Sequence, residues 1–135
     1  MEDYKEIWPS ENEIDKSTES VDLAPYGVIS QYANAVDSAY NNKIIGMITA
    51  RFEEKQNGDR TNFVYSFYIS LPDKAVQIKL FEVEVADDGW YPAKVYLTKP
   101  SRSDIGIAST EKQLRTFIEN GIKSDFVKNQ IKTLL

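Results

Sequence analysis

Apolar and polar side chains alternate in four runs between residues 44 and 98, and on either side of that block the apolar positions recur at three- and four-residue steps. The first spacing is that of a strand with one buried face, the second that of a helix with one buried stripe. The chain therefore predicts an α+β domain: an N-terminal helix, a four-stranded antiparallel meander with room for a fifth strand, and two C-terminal helices.

The first helix opens after Asp22, with Pro25 in its first turn, where a missing N–H costs nothing. Val28, Ile29, Tyr32, Ala35, Val36, Ala39 and Tyr40 form its core stripe, and Asn41 and Asn42 end it. Strands are expected at residues 44–53, 62–71, 75–86 and 93–98, joined by turns at Gln56-Asn57-Gly58-Asp59, Pro72-Asp73-Lys74 and Asp87-Asp88-Gly89. Residues 105–108 suit a short fifth strand. Thr110 and Gln113 have the spacing of a capping box ahead of the stripe Leu114, Phe117, Ile118 and Ile122, with Gly121 as the expected C-cap. Ser124 then caps a last helix carrying Val127, Ile131 and Leu134.

Alternation assigns the strand residues to faces. Phe63, Tyr65, Phe67, Ile69 and Leu71 are expected to point into the core with Ile44, Ile48, Ala50, Phe52, Val76, Ile78, Leu80, Val95 and Leu97. The opposite face takes Met47, Thr49, Arg51, Val64, Ser66, Tyr68, Ser70, Gln77, Lys79, Phe81, Val83, Val85 and Tyr96, too apolar to be fully wetted and too polar for a dry core. Within the third strand the apolar phase jumps from Leu80 to Phe81, which predicts a bulge or a change of environment there. Because a few short helices placed together cover one face of a sheet, the other face wants a partner.

Composition narrows the chemistry. There is no cysteine and no histidine, which excludes disulfides, thiolate metal sites and histidine bases. Residues 1–22 hold eight acidic side chains against Lys5 and Lys16, net −6, leaving +1 for residues 23–135 of the total −5. The acidic stretch, with its Ser/Thr cluster and Pro9, predicts a flexible arm, in which Tyr4, Ile7 and Trp8 are the apolar exception. A near-neutral body with interspersed signs lacks the basic stripe that nucleic acid requires, so no nucleic-acid partner is expected. No run of apolar residues is long enough to span a bilayer, and residues 1–20 lack the basic and apolar regions of a signal peptide, so the expected setting is the cytoplasm.

No catalytic motif stands out. Glu82 and Glu84 lie two apart on one strand, a spacing that suits paired carboxylates in glycoside hydrolysis but equally suits two solvated strand-end residues opposite lysines. Asp87-Asp88-Gly89 begins like a calcium loop but lacks its later ligands, so a turn is expected and no metal. Ser109 to Lys112 has a Ser-x-x-Lys spacing that helix capping already explains. The glycines are scattered singly, so no phosphate loop or dinucleotide fingerprint exists and no cofactor is expected.

The segments PYGVISQYA (25–33), FYISLP (67–72), YPAKV (91–95) and the helical stretch 114–135 together resemble a group of small bacterial proteins with a helix, strands and a final helical pair. The resemblance spans most of residues 25–135 and implies a bacterial, single-domain α+β protein over 23–135; it carries no activity and no site. The expected function is that of a non-enzymatic interaction protein, inhibitor-, immunity- or chaperone-like. It would bind another protein or a second copy through Met47, Arg51, Val64, Tyr68, Lys79, Phe81, Val83 and Tyr96. The alternative is a small-ligand binder with an aromatic cup of Tyr32, Tyr65, Phe67 and Trp90, joined by Tyr96, between sheet and helices.

Overall fold

The computed structural model describes residues 22–53, 62–97 and 103–135. The order is α1 (Pro25–Ala39), β1 (Ile45–Glu53), β2 (Asn62–Ser70), β3 (Gln77–Val85), β4 (Ala93–Leu97), β5 (Ser103–Ala108), α2 (Glu111–Ile122) and α3 (Asp125–Leu134). The five strands form one antiparallel sheet in chain order, β1-β2-β3-β4-β5. The α+β expectation holds, with the fifth strand present. The acidic stretch up to residue 21, with Tyr4, Ile7 and Trp8, and the expected Asn57-Gly58 turn lie outside the described residues.

Local chemistry sets the element ends. Pro25 occupies the start of α1, and Asn41 and Asn42 both take left-handed backbone (φ 54° and 62°), a conformation Asn tolerates, which stops the helix. Thr110 Oγ1 accepts the Gln113 amide at 3.2 Å, while the Gln113 side chain reaches one residue further back than a capping box requires, to the Ser109 amide at 2.7 Å. Ser124 Oγ accepts the Val127 amide and opens α3. Gly121 is not a C-cap: α2 runs on to Ile122, and Gly121 is buried with its missing Cβ directed at Ile105 and Leu97. A Cβ there would meet these side chains at ordinary van der Waals distance, 3.4 Å and 3.8 Å.

All three helices cover the same side of the sheet. A Cβ at Gly46 would sit 2.8 Å from Ala33 Cα, so α1 crosses β1 at backbone contact, and a Cβ at Gly106 would strike the Phe117 ring of α2. Val127 of α3 joins Val28, Ile29, Phe67, Leu80, Leu114 and Ile118 in the core. Polar ties hold the helices together at their rim: Arg115 bonds Glu111 at 2.9 Å and Gln31 at 2.6 Å, and the Tyr91 hydroxyl donates to the Leu23 carbonyl at 2.8 Å. Burial and then the charges of Glu111 and Asp22 push the Tyr91 phenol up to about 12, so it remains a protonated donor throughout the neutral range.

The phase jump in β3 is a bulge. Phe67 faces Phe81 and Tyr68 faces Lys79, leaving Leu80 as the extra residue, and Leu80 and Phe81 both turn into the core. Phe81, Val83 and Val85 are therefore on the helix side, opposite Phe67, Tyr65 and Phe63, and not on the bare face that simple alternation predicts. Val76 (43 % exposed) lies in the turn before β3, and Phe52 (65 % exposed) extends beyond the reach of α1, so neither belongs to the core as expected.

The contact at Gly46 gives a direct test. Gly46→Ala forces the α1 backbone off β1, and a loss of about 3 kcal/mol is expected in urea unfolding, the upper end of ordinary overpacking costs because backbone cannot rotate away. Gly106→Ala, which meets a movable ring instead, should cost clearly less in the same measurement.

Candidate protein-binding face

With the helices on one side, the other face takes the alternate residues of each strand, yet its middle is closed to water: Val64 and Ser70 are fully buried and Tyr96 is 8 % exposed, so Val64 and Tyr96 are not free to bind a partner as expected. Register places Thr49, Ser66, Glu82 and Tyr96 in one row across four strands, flanked by Arg51, Val64 and Glu84 on one side and by Met47, Tyr68 and Lys79 on the other. Six of the eight residues expected to bind a partner thus share this face: Met47, Arg51, Val64, Tyr68, Lys79 and Tyr96. Phe81 and Val83 do not, for the reason just given.

The centre of the face is polar and closely tied. Glu82 is 4 % exposed, and its Oε2 takes the Arg51 guanidinium at 2.6 Å and the Ser66 hydroxyl at 3.1 Å, with the Lys79 ammonium at 3.7 Å. Arg51 also donates to Ser66 at 3.1 Å and lies 3.7 Å from Glu53. Burial by itself raises the Glu82 carboxyl, but the hydrogen bond and charge of Arg51, then Lys79 and the Ser66 hydroxyl, outweigh it and hold the group below its ordinary value. The bulge makes this cluster possible. Without the extra residue at Leu80, Glu82 would point into the core and Arg51 would have no buried partner from β3.

These contacts bear on the carboxylate pair. Glu82 is buried and not the solvated strand-end residue that the spacing suggests, and a general acid needs its proton held above neutral, where this carboxyl is pushed the other way. Sequence reading missed the Arg51–Ser66–Glu82 cluster because its members come from three strands and meet only through the β3 bulge. The phase jump at Leu80 was the one signal of it.

Around this centre the face is mixed. Met47 and Tyr68 are half-buried and neighbours in register, Ile45 lies beside Ser70, and Lys94 stands 5.1 Å from the Tyr96 ring centroid. At the far end an open recess of about 360 Å³ is lined by Asn62, Glu84, Ala86, Pro92, Lys94 and Ile107. Ile107 is 58 % exposed.

The expected aromatic cup divides. Tyr32 and Phe67 line a small apolar cavity of about 170 Å³ under α1 and α3, together with Val36, Leu80, Ile122 and Ile131. Tyr65 does not line it: its ring packs 5.4 Å from that of Tyr26 and lies parallel to Phe63. Trp90 is 45 % exposed in the turn before β4, and Tyr96 belongs to the opposite face. In that turn Asp88 accepts the Trp90 amide at 2.9 Å and Gly89 takes φ 77°, so Asp87-Asp88-Gly89 is the turn expected. Among the described residues no group of acidic side chains could hold a metal ion, and no helix is long and apolar enough to cross a membrane. Comparison with protein-family models, with curated proteins and with solved structures finds no match.

Glu82 gives the face a pH signature. Its carboxyl titrates lower folded than unfolded, so the stability it contributes is present above the ordinary value of 4.5 and is lost as pH falls through the folded value. Glu82→Gln should cost about 1.5 kcal/mol at pH 7, at the low end for a charged hydrogen bond because Arg51 can rehydrate. The deficit against wild type should shrink below about pH 4, read by chemical unfolding across pH; a deficit that does not change with pH would mean the carboxylate charge contributes nothing.

Proposed function

We propose that this is a non-enzymatic interaction protein, of the inhibitor, immunity or chaperone type, which binds another protein on the helix-free face of its sheet. The observation that carries this reading is that α1, α2 and α3 lie on one side while Met47, Tyr68 and Arg51 keep exposed surface on the other, around the buried Val64, Ser66 and Glu82. Aromatic residues, methionine and arginine are the types enriched at the centres of protein interfaces. The Arg51–Glu82 cluster supports a specific partner, since a docked surface must leave those charges satisfied or supply its own. Lys79 and Lys94 add positive charge to the rim. On this reading the acidic residues 1–22 compete for the same cations, and the setting is a bacterial cytoplasm, the bacterial source following the sequence resemblance.

The apolar cavity favours a second, narrower reading. At about 170 Å³, lined by Tyr32 and Phe67, it suits a ring or short alkyl group and falls below the usual size of a metabolite pocket. Benzene is the probe: at about ten times its Kd it should raise the Tm by roughly 5 °C if the cavity admits ligands. No shift up to saturation ends this reading.

The main reading is tested at Tyr68. A protein captured from extracts of the source cells by the immobilised wild type should bind Tyr68→Glu with a Kd about tenfold higher or more, the scale of an interface aromatic, while both fold alike by circular dichroism. Removing residues 1–22 should strengthen capture. If no captured protein distinguishes wild type from Tyr68→Glu, the face is not the binding surface.

A further inference from the structure

A sheet of five strands has two edges, and they are treated differently. β5 carries a register shift against β4 between Val95 and Tyr96, whose partners on β5 are Gly106 and Asp104, so Ile105 is an extra residue that breaks this edge. β1 has no such interruption: its register against β2 runs without a shift from Ile45 to Glu53. It holds no proline and no lysine, the usual guards of an exposed edge. Thr49, Ala50, Arg51 and Phe52 are all exposed.

The direction of the β1 amides follows from one hydrogen bond. Gly46 N–H donates to Asp37 Oδ1 at 3.2 Å, so it points away from β2, and every second residue does the same: Ile48, Ala50 and Phe52. Asp37 caps the first of these outward amides. Among the described residues nothing pairs with the other three.

We propose that β1 is a self-pairing edge, which joins two copies of this chain antiparallel about a two-fold axis at Ala50 into one ten-stranded sheet. Outward residues must meet outward residues, which leaves few registers. Shifting the axis to Thr49 sets Phe52 against Gly46 of the partner subunit, whose amide Asp37 already holds. Shifting it to Arg51 sets two guanidinium groups face to face. The axis at Ala50 avoids both: Ala50 meets its own copy, and Phe52 meets Ile48 of the partner subunit in both directions, so three pairs exchange six backbone hydrogen bonds. It places the Phe52 ring, 65 % exposed in the protomer, on the helix side of the sheet against Ile48 of the other subunit. A two-fold contact of this kind closes on itself, and the bulge in β5 keeps the other edge from extending it. The inference rests on the edge alone and is independent of what binds the face away from the helices.

The absence of cysteine makes the register readable. Full-length protein should run at twice its 15.4 kDa mass by light scattering, and Ala50→Cys should form an interchain disulfide under mild oxidation. Phe52→Cys should not, because two such positions stand roughly 14 Å apart along the strands. Ala50→Pro, which deletes an outward amide that β2 does not use, and Ala50→Lys, which sets two ammonium groups on the axis, should both give folded monomers. A monomeric wild type, a dimer that survives both substitutions, a dimer that Ala50→Cys fails to link, or open-ended aggregates would each overturn the proposal.

Discussion

A strand presents successive side chains to opposite sides of its sheet, and β3 breaks that rule once, at Leu80 and Phe81. Both turn into the core, and the Phe81 ring stacks on Phe67 with centroids 4.7 Å apart. Everything after the break changes sides. Val83 and Val85 fill the helix side, while Glu82 and Glu84 move to the other face, where Glu82 meets Arg51 and Ser66. One inserted residue thus seals the core and equips the opposite face.

That face combines two tendencies that usually exclude each other. Its centre is a buried carboxylate satisfied by a guanidinium, a hydroxyl and an ammonium, an arrangement costly to assemble and costly to disrupt by halves. Its flank carries Met47, Tyr68 and Ile45, side chains that gain by leaving water. Such a surface rejects indiscriminate apolar contact, because a partner that strips water from Arg51 without replacing its bonds loses more than the burial of Met47 returns. Specificity is the physical consequence, and this is why a dedicated protein partner suits the face better than general adhesion does.

Edge and face are coupled by the same strand. In β1 the odd residues 47, 49 and 51 lie on the face away from the helices, while the even residues 48, 50 and 52 direct their amides to the outer edge, which no described strand occupies. Pairing at the edge sets Thr49 of one copy opposite Arg51 of the other on that face and brings the two faces into one continuous surface. The two surfaces are compatible because backbone and side-chain directions in a strand are perpendicular.

Much of the fold is written in local spacing. The helical stripes, Pro25, the paired asparagines, the Thr110 and Ser124 caps and the Asp87-Asp88-Gly89 turn each act within a few residues, so their effect is legible without knowing what lies across the molecule. Even the break in β3 is visible as a jump in apolar phase. What it does to the faces is not: whether Phe81 or Glu82 points inward depends on which side α1 and α3 cover, and that is decided by the backbone contact of Gly46 with Ala33 and by the seat of Val127. Phe52 and Val76 have strand spacing but stay exposed, and Gly121 has the look of a cap while lying buried inside α2. The sequence by itself determined the elements and their order, because those follow from interactions between near neighbours. Tertiary structure alone decided which face the helices cover, which carboxylate was buried and which strands form the edges of the sheet, because each depends on groups brought together from distant parts of the chain.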